Sequence, residues 1–255
     1  MNFFYDAIMP DGMSYLVLLL LLAASFVSSF ITVAFGIGGG AMLLAIMATL
    51  VPPAALIPTH GMIQIGSNLG RALVVLKHIF WPALPAFTIG SLIGAAVGGS
   101  LVVNIPPAWI QIAVGSFIIW SIFGRPPRGV RDWPLAVGLF SSFLTMFFGA
   151  TGLFVATFTK SHELPRHSHV ATHAALMTVQ HGVKTIAFGL LGFAFGEWLP
   201  FIIAMMVLGF LGTLAGKLLL NRLDDRRFRF ALDFVLVVLS VRLVLGGAWE
   251  LYQGR

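Results

Sequence analysis

The sequence has no cysteine and little charge. The absence of cysteine excludes disulfides, thiolate metal sites and thiol nucleophiles. Only 9% of the 255 residues are charged, against roughly 25% in a typical soluble domain. So little polar sequence cannot cover a soluble core, and 58% of the residues are hydrophobic. The composition therefore indicates a membrane protein surrounded by a lipid bilayer.

Positive charge is also missing from the beginning of the chain. No Lys or Arg precedes Arg71, so the apolar segment 16–35 lacks the basic flank of a cleavable signal peptide and is predicted to remain as the first helix. The formal net charge of +6 does not indicate a nucleic-acid partner. The basic residues stand in short loops between apolar stretches, where they set the orientation in a membrane.

What the chain does contain is a repeat of itself at a fixed shift of 113 residues, without a gap. Residues 28–32 (SSFIT) return as 141–145 (SSFLT), and Arg71 is matched by Lys184. The identities fall on Gly, Ser, Thr, His and Pro rather than on the Leu/Val background, so chance similarity between apolar sequences does not explain them. An internal repeat with interrupted apolar segments is typical of secondary transporters.

Each half contains one apolar segment that is too short to cross a membrane. The apolar segments lie near 13–35, 41–51, 55–77, 83–103, 108–123, 134–148, 150–159, 167–194, 198–220 and 229–247. A crossing needs about 20 residues, so 41–51 and 150–159 cannot cross alone. Each follows a glycine break, GIGGG at 36–40 or GATG at 149–152. Such backbone at membrane depth must be buried in protein or line a polar cavity, which predicts a hairpin of a helix and a half-helix at each break.

The distribution of basic residues predicts the topology. If each hairpin returns to its own side and each later helix crosses once, ten Lys and Arg residues fall on one side, which is then the cytoplasm. They are Lys77, Arg125, Arg128, Arg131, Lys160, Arg166, Arg222, Arg226, Arg227 and Arg229. The opposite loops, 104–107 and 195–199, contain none. Three crossings in each half is an odd number, so the second half is predicted to be inverted.

The predicted fold is an all-α polytopic membrane protein. Two inverted-topology repeats, 1–123 and 134–255, each contain a Gly-broken helix hairpin followed by three crossing helices. A basic cytoplasmic linker, 124–133, joins them. Both termini are then predicted to lie in the periplasm.

Polar side chains inside the apolar segments form one stripe in each half. From His60, four polar residues follow 4, 7, 8 and 11 positions later, which places them on one helix face. Because polar groups in a bilayer face the interior of a bundle, the two stripes are predicted to face each other or water. With the breaks, they give the candidate binding residues Gly36, Gly38, Gly39, Gly40, Thr59, His60, Gln64, Ser67, Asn68, Arg71, Gly149, Thr151, Gly152, Thr172, His173, Gln180, His181 and Lys184.

The charges of the stripes favour an anionic substrate. Eight of the nine carboxylates lie in tails or loops, and the ninth, Asp233, stands just inside the last helix. The predicted core therefore contains Arg, Lys, His and amides but no acid. A half-helix that begins at a glycine break also presents free N–H groups and the positive end of its dipole. We expect the oxyanion to lie between the breaks, held by backbone N–H groups and by Ser67, Asn68, Gln180 and His181.

The remaining stripe residues have predicted roles in moving the anion. Arg71 and Lys184 are expected to attract it from opposite faces, and His60 or His173 to couple transport to protons, since histidine titrates near neutral pH. A purely structural interpretation is also available. The two cations would then extend from near the helix ends to the surface, and the two histidines would join helices through hydrogen bonds. Glycines predicted to serve only helix packing are Gly66, Gly70, Gly94, Gly98 and Gly99.

The glycine break at 36–40, with its repeat at 149–152, resembles the TauE/SafE family of sulfite exporters. The stretches VAT at 170–172 and VKTIAFGLLG at 183–192 are also similar to that family, and the resemblance extends over about 14–247. It implies a bacterial inner-membrane carrier that moves sulfite, organosulfonates or related small sulfur-containing anions, often outward.

The sequence departs from that family in two places. The second break is GATG rather than a full run of glycines, and the proline that commonly follows the glycines is missing from 41–51. Both departures touch the predicted binding site.

The same residues are compatible with other functions. An anion channel could use the same basic residues for selectivity, and a divalent-metal carrier could use the histidines, although carboxylate ligands are missing. An intramembrane enzyme is not expected, because the chain has no G-x-S-x-G or H-E-x-x-H motif and no buried acid to orient a histidine. We predict a small anionic substrate and no cofactor or bound metal, with a homodimer as an alternative to a monomer.

Overall fold

The computed structural model describes residues 8–35, 38–102, 105–124, 132–219 and 225–253. Within these ranges the regular structure is helical, without a β-strand, which confirms the all-α prediction. The helices are α1 (Tyr15–Phe35), α2 (Gly39–Leu50), α3 (Pro53–Val74), α4 (Leu84–Val102), α5 (Pro107–Phe123), α6 (Pro134–Phe148), α7 (Gly152–Ser161), α8 (Arg166–Leu190), α9 (Phe195–Leu219) and α10 (Asp225–Tyr252). Two single 3₁₀ turns, Leu76–His78 and Trp81–Ala83, link α3 to α4.

Both glycine breaks interrupt the chain where the sequence predicts them. The connection from α1 to α2 passes through Gly38 at φ 104°, and that from α6 to α7 through Gly149 at φ 76°. Residues with a Cβ atom rarely adopt these conformations. The half-helices α2 and α7 contain 12 and 10 residues, about half of what a membrane crossing requires.

The helices of the two halves correspond in position and in packing. The first helices after the breaks, α2 and α7, begin at Gly39 and Gly152, and the next pair begins at Pro53 and Arg166. The 113-residue shift of the sequence is therefore also the shift of these helix starts. Helix α1 packs against α9, and its counterpart α6 packs against α4, while α3 packs on α8 and α5 on α10. Exchanging the two halves preserves these pairs, so the halves interlock.

Glycine allows close backbone contact at the two equivalent interfaces. A methyl group added at Gly90 or Gly94 of α4 would overlap the carbonyl oxygen of Leu135 or Leu139 on α6. At the α1–α9 interface, a methyl group at Gly212 would overlap the carbonyl oxygen of Phe26. The packing role predicted for Gly94 is therefore confirmed.

In the part of the chain that the structure describes, four segments are long and apolar enough to cross a membrane, by length and composition. They are Tyr15–Val33, Trp81–Val102, Phe195–Leu218 and Asp233–Tyr252. Helices α3 and α8 are of similar length, with 22 and 25 residues, but carry the polar stripes. Because they pack on each other, the stripes lie inside the bundle, where polar side chains are tolerated.

Candidate functional site

The two polar stripes meet along the contact between α3 and α8. His60 of α3 and His181 of α8 lie edge to face, with ring centroids 5.9 Å apart, and the Lys184 side chain packs against Gly61. The polar side chains of both stripes are at most 9% exposed. Arg71 and Lys184, at 5% and 0% exposed, therefore do not extend to the surface, and the surface interpretation of these two cations is wrong.

In each half, a histidine forms a hydrogen bond with the glycine break. This histidine lies on α3 in the first half and on α8 in the second. His60 Nε2 lies 3.0 Å from the carbonyl oxygen of Gly40, and His173 Nε2 lies 3.3 Å from that of Gly152. Since a carbonyl oxygen only accepts, both Nε2 atoms carry the proton and donate. The predicted joining role of the histidines is thus confirmed for one ring nitrogen of each. The Nδ1 atoms are buried without a hydrogen-bond partner in the described structure.

A cavity of about 320 Å³ lies beside both breaks. The candidate residues that line it are Gly38, Gly40, His60, Gln64, Asn68, Arg71, Gly152, His173 and His181. The beginnings of α2 and α7 both reach this cavity, so their free N–H groups and dipole ends favour an anion there. Gly36, the other glycine predicted at the first break, lies outside the described residues.

Besides the Nδ1 atoms of His60 and His173, two further side chains of the cavity wall have polar atoms that no described protein group satisfies. Arg71 Nε and both ring nitrogens of His181 are buried without a hydrogen-bond partner in the part of the chain that the structure describes. Such orphaned polar atoms are rare in folded proteins. The Arg71 guanidinium offers a fork of donors that matches the oxygen atoms of an oxyanion. The cavity wall can therefore donate hydrogen bonds to the oxygen atoms of an anion.

Gln180 holds the second break together instead of facing the cavity. Its Nε2 donates to the Ser141 carbonyl oxygen at 3.2 Å and to Thr151 Oγ1. Its Oε1 accepts from Ser141 Oγ at 3.3 Å, and Thr151 Oγ1 donates to the Ser141 carbonyl oxygen at 3.0 Å. The amide is therefore used by the protein, and the structure places Gln180 and Thr151 in the framework of the break.

Other candidates also bind protein groups and stand outside the cavity wall. Ser67 Oγ lies 3.1 Å from Ser29 Oγ, and Thr59 Oγ1 donates to a carbonyl oxygen of its own helix at 2.6 Å. Thr172 Oγ1 accepts the backbone N–H of Phe80 at 2.9 Å, which fixes the connection between α3 and α4. Gly39 and Gly149 are likewise outside the wall. Helical spacing identified the correct face, but not which residues of that face meet the cavity.

Lys184 lies behind the cavity wall. Its Nζ is 3.3 Å from the Gly149 carbonyl oxygen and 3.5 Å from Thr145 Oγ1, while His60 and His181, its ionisable neighbours, line the cavity itself. Arg71, the repeat counterpart of Lys184, lines the cavity directly. The two cations therefore differ in position although their sequence positions correspond.

Three described polar residues of the cavity wall were not among the predicted site residues. They are Thr32, Ser121 and Asp233. The expectation that no acid lies near the site is wrong for Asp233, because the packing of α10 against α2 brings this carboxylate beside the first break. Thr32 belongs to the repeated SSFIT stretch and could have been found from it. Asp233 carried a signal as the one carboxylate inside an apolar segment, whereas Ser121 had none.

The chain matches a known protein family over most of its length. Neither a search of curated proteins nor a search of solved structures found a match for this chain. The family model described as sulfite exporter TauE/SafE matches residues 21–243, which include both breaks, both polar stripes and the cavity wall. The chain therefore belongs to the TauE/SafE family of sulfite exporters.

Proposed function

We propose that this protein is a secondary transporter that exports sulfite or small organosulfonates across the bacterial inner membrane by alternating access. The observation that carries the proposal is the shared cavity at the two breaks, lined by Arg71, Asn68 and three histidines. Two half-helices begin at the same cavity, so donors and positive dipole ends converge on it. Nothing in this arrangement requires a covalent step on the substrate.

In the proposed complex, the oxyanion lies against Arg71. Its guanidinium binds two substrate oxygens, and Asn68, Gln64 and His181 surround the third from the same wall. At about 320 Å³, the cavity is at the small end of the roughly 300–1,000 Å³ of ligand sites. This size suits a small sulfur oxyanion with its last water molecules better than a bulky organic ligand.

A second cavity favours a carrier over a channel. It has a volume of about 340 Å³ and lies at the opposite end of α2, between the chain start at 10–13, the α2–α3 connection and Trp198. Between the two cavities, α2 contributes Met42, Leu43, Leu44, Ala45 and Met47 to the hydrophobic core, each at most 7% exposed. Two cavities separated by a packed half-helix fit alternating access, in which one side opens at a time.

The proposed orientation places the basic linker in the cytoplasm and both termini in the periplasm. The site cavity reaches Gly124, the first residue of the linker after α5, so in this orientation it opens toward the cytoplasm. The exchangeable packing of the two halves supports the proposed two-fold relation in the membrane plane, with repeats 1–123 and 134–255.

The proposal is tested in proteoliposomes with sulfite and taurine. We expect at least one of the two substrates to show saturable flux and counterflow. In Arg71→Met, both the flux and the counterflow of that substrate should be lost. Arg242→Met, at an exposed arginine of α10, is the matched control and should transport normally. Ohmic anion currents without counterflow would make the protein a channel, and thermal stabilisation by Ni²⁺ or Zn²⁺ alone would make it a metal carrier. Either result would overturn the proposal.

A further inference from the structure

Lys184 is fully buried in the last third of α8, and its hydrogen bonds are long. Its polar contacts in the described structure are the Gly149 carbonyl oxygen at 3.3 Å and Thr145 Oγ1 at 3.5 Å. Both distances are at or beyond the long end of the hydrogen-bond range, and an ammonium group has three donors to place. The protein itself therefore does little to stabilise a charge at this position.

Among the residues that the structure describes, no negative group contacts Lys184. His60 faces it from α3 and His181 from its own helix, and both are bases. Helices α4 and α6, which also pack against α8, contain no titratable residue. On α7, Lys160 is exposed at the end far from the break. Asp233 lines the cavity but is not among the hydrogen-bond partners of Lys184.

A buried ammonium group without an anionic partner is strongly disfavoured, whereas the same group is tolerated when an anion lies close. The cavity that would hold the anion is directly beyond His60 and His181. A positive charge on Lys184 and an anion in the cavity therefore stabilise each other. By linkage, protonation of Lys184 strengthens anion binding, and anion binding favours protonation of Lys184.

The repeat counterpart of Lys184 behaves differently. Arg71 occupies the matching position in the first half, and its guanidinium stays charged at any physiological pH. The amine of Lys184 can be neutral or charged. The site thus combines one permanent cation in the cavity wall with one cation whose charge can change.

We propose that Lys184 takes up a proton when an anion enters the cavity and releases it when the anion leaves, so that the anion and the proton are carried together. This inference rests on the proposed transport function. The step is a protonation: the Lys184 amine gains H⁺ from the solution to which the cavity is open and returns it on the other side. A monoanion then moves without net charge, and the direction of flux is set by the anion and proton gradients together.

The test is the number of protons bound with each anion, measured by titration calorimetry in two buffers of different ionisation enthalpy. Methanesulfonate is the first probe because it does not titrate near neutral pH. Sulfite is the second, since its own protonation cancels when wild type and variant are compared. We expect about one proton per anion in the wild type and about one fewer in Lys184→Arg, where the charge is permanent. Lys217→Arg, at an exposed lysine of α9, should match the wild type.

A second variant keeps the test valid if arginine does not fit beside Gly61. Lys184→Met is close in shape to the neutral amine, so its anion affinity should be weaker than that of the wild type and should no longer rise as the pH falls. Anion binding without proton uptake, or with the same uptake in both Lys184 variants, would overturn this inference and leave the transport function standing. Failure of both probes to bind would overturn the transport function and this inference with it.

Discussion

His60 and His181 meet edge to face in the buried contact between α3 and α8, with ring centroids 5.9 Å apart and ring planes at 81°. His60 donates to the first break through Gly40, whereas neither nitrogen of His181 has a partner in the described structure. At this contact between the two repeats, the His60 ring is held by a hydrogen bond, whereas the nitrogens of His181 are free to bind a ligand. An anion at His181 would therefore lie beside a histidine from each half of the molecule.

Substitution of His181 should weaken anion binding. In His181→Gln the ring nitrogens are lost, and a hydrogen bond to a charged group is worth about 1.5–3 kcal/mol, so we expect the dissociation constant to rise about tenfold or more. Thermal stabilisation against an anion series measures this. His162→Gln, at an exposed histidine, is the control. Equal affinities in the two variants would exclude His181 from the binding site.

Substitution of Gln180 should affect stability and leave recognition intact. Gln180→Leu removes the acceptor of Ser141 Oγ and the donor to Thr151 Oγ1, and an unsatisfied buried group costs about 1–3 kcal/mol. Ser67→Ala, at the repeat-equivalent position, loses a single bond to Ser29 and should cost less. We expect a lower unfolding temperature in detergent for Gln180→Leu, with the usual upward shift on adding the anion. Loss of that shift would return Gln180 to the list of substrate ligands.

Neutralising Asp233 should strengthen anion binding. The carboxylate lines the same cavity as Arg71 and repels an anion there, but it is exposed, so solvent screens it. We expect Asp233→Asn to lower the dissociation constant about two- to fivefold at low salt, with a smaller gain at high salt. Glu197→Gln, an exposed carboxylate at the start of α9, should bind as the wild type does. Weaker binding in Asp233→Asn would mean that the carboxylate supports the site.

The α4–α6 interface should not accept a single methyl group at its closest point. In Gly94→Ala, the new methyl would overlap the carbonyl oxygen of Leu139, and overpacking of this kind costs about 1–3 kcal/mol. In Gly99→Ala, the nearest atom is Leu191 Cδ1 at 3.4 Å, which is ordinary contact, so helix propensity should keep this variant as stable as the wild type or slightly better. Thermal unfolding of the two variants decides between these outcomes, and equal stability would contradict the close contact.

The repeat and the breaks could be predicted because they depend on residue type and order. The sequence alone shows that glycine and polar residues recur at one fixed shift. It also shows that each half-helix is too short to cross a membrane. The partners of individual side chains are not. Ser67 and Asn68 are neighbours on one helix face, yet Ser67 binds Ser29 and Asn68 lines the cavity. That difference depends on how α1 approaches α3.

The position of Asp233 shows the same limit on a larger scale. The sequence places this carboxylate at the beginning of the last helix, and only the packing of α10 against α2 brings it to the first break. Lys184 and Arg71 also correspond in sequence, but the structure places one behind the cavity wall and the other in it. A repeat predicts equivalent residues, whereas the two halves of one molecule need not adopt equivalent conformations at the same moment.

The crossed packing of the halves has a consequence for biosynthesis. Ser25 Oγ donates to the carbonyl oxygen of Met205 at 2.6 Å, a contact 180 residues apart in the sequence, because α1 rests on α9. The first hairpin therefore enters the bilayer long before the ribosome has made the helix that covers it. During that interval its serines and open glycine break must find temporary partners in lipid headgroups, water or the insertion machinery. We expect a nascent chain ending before α9 to be degraded rapidly, and a separately expressed second half to rescue it.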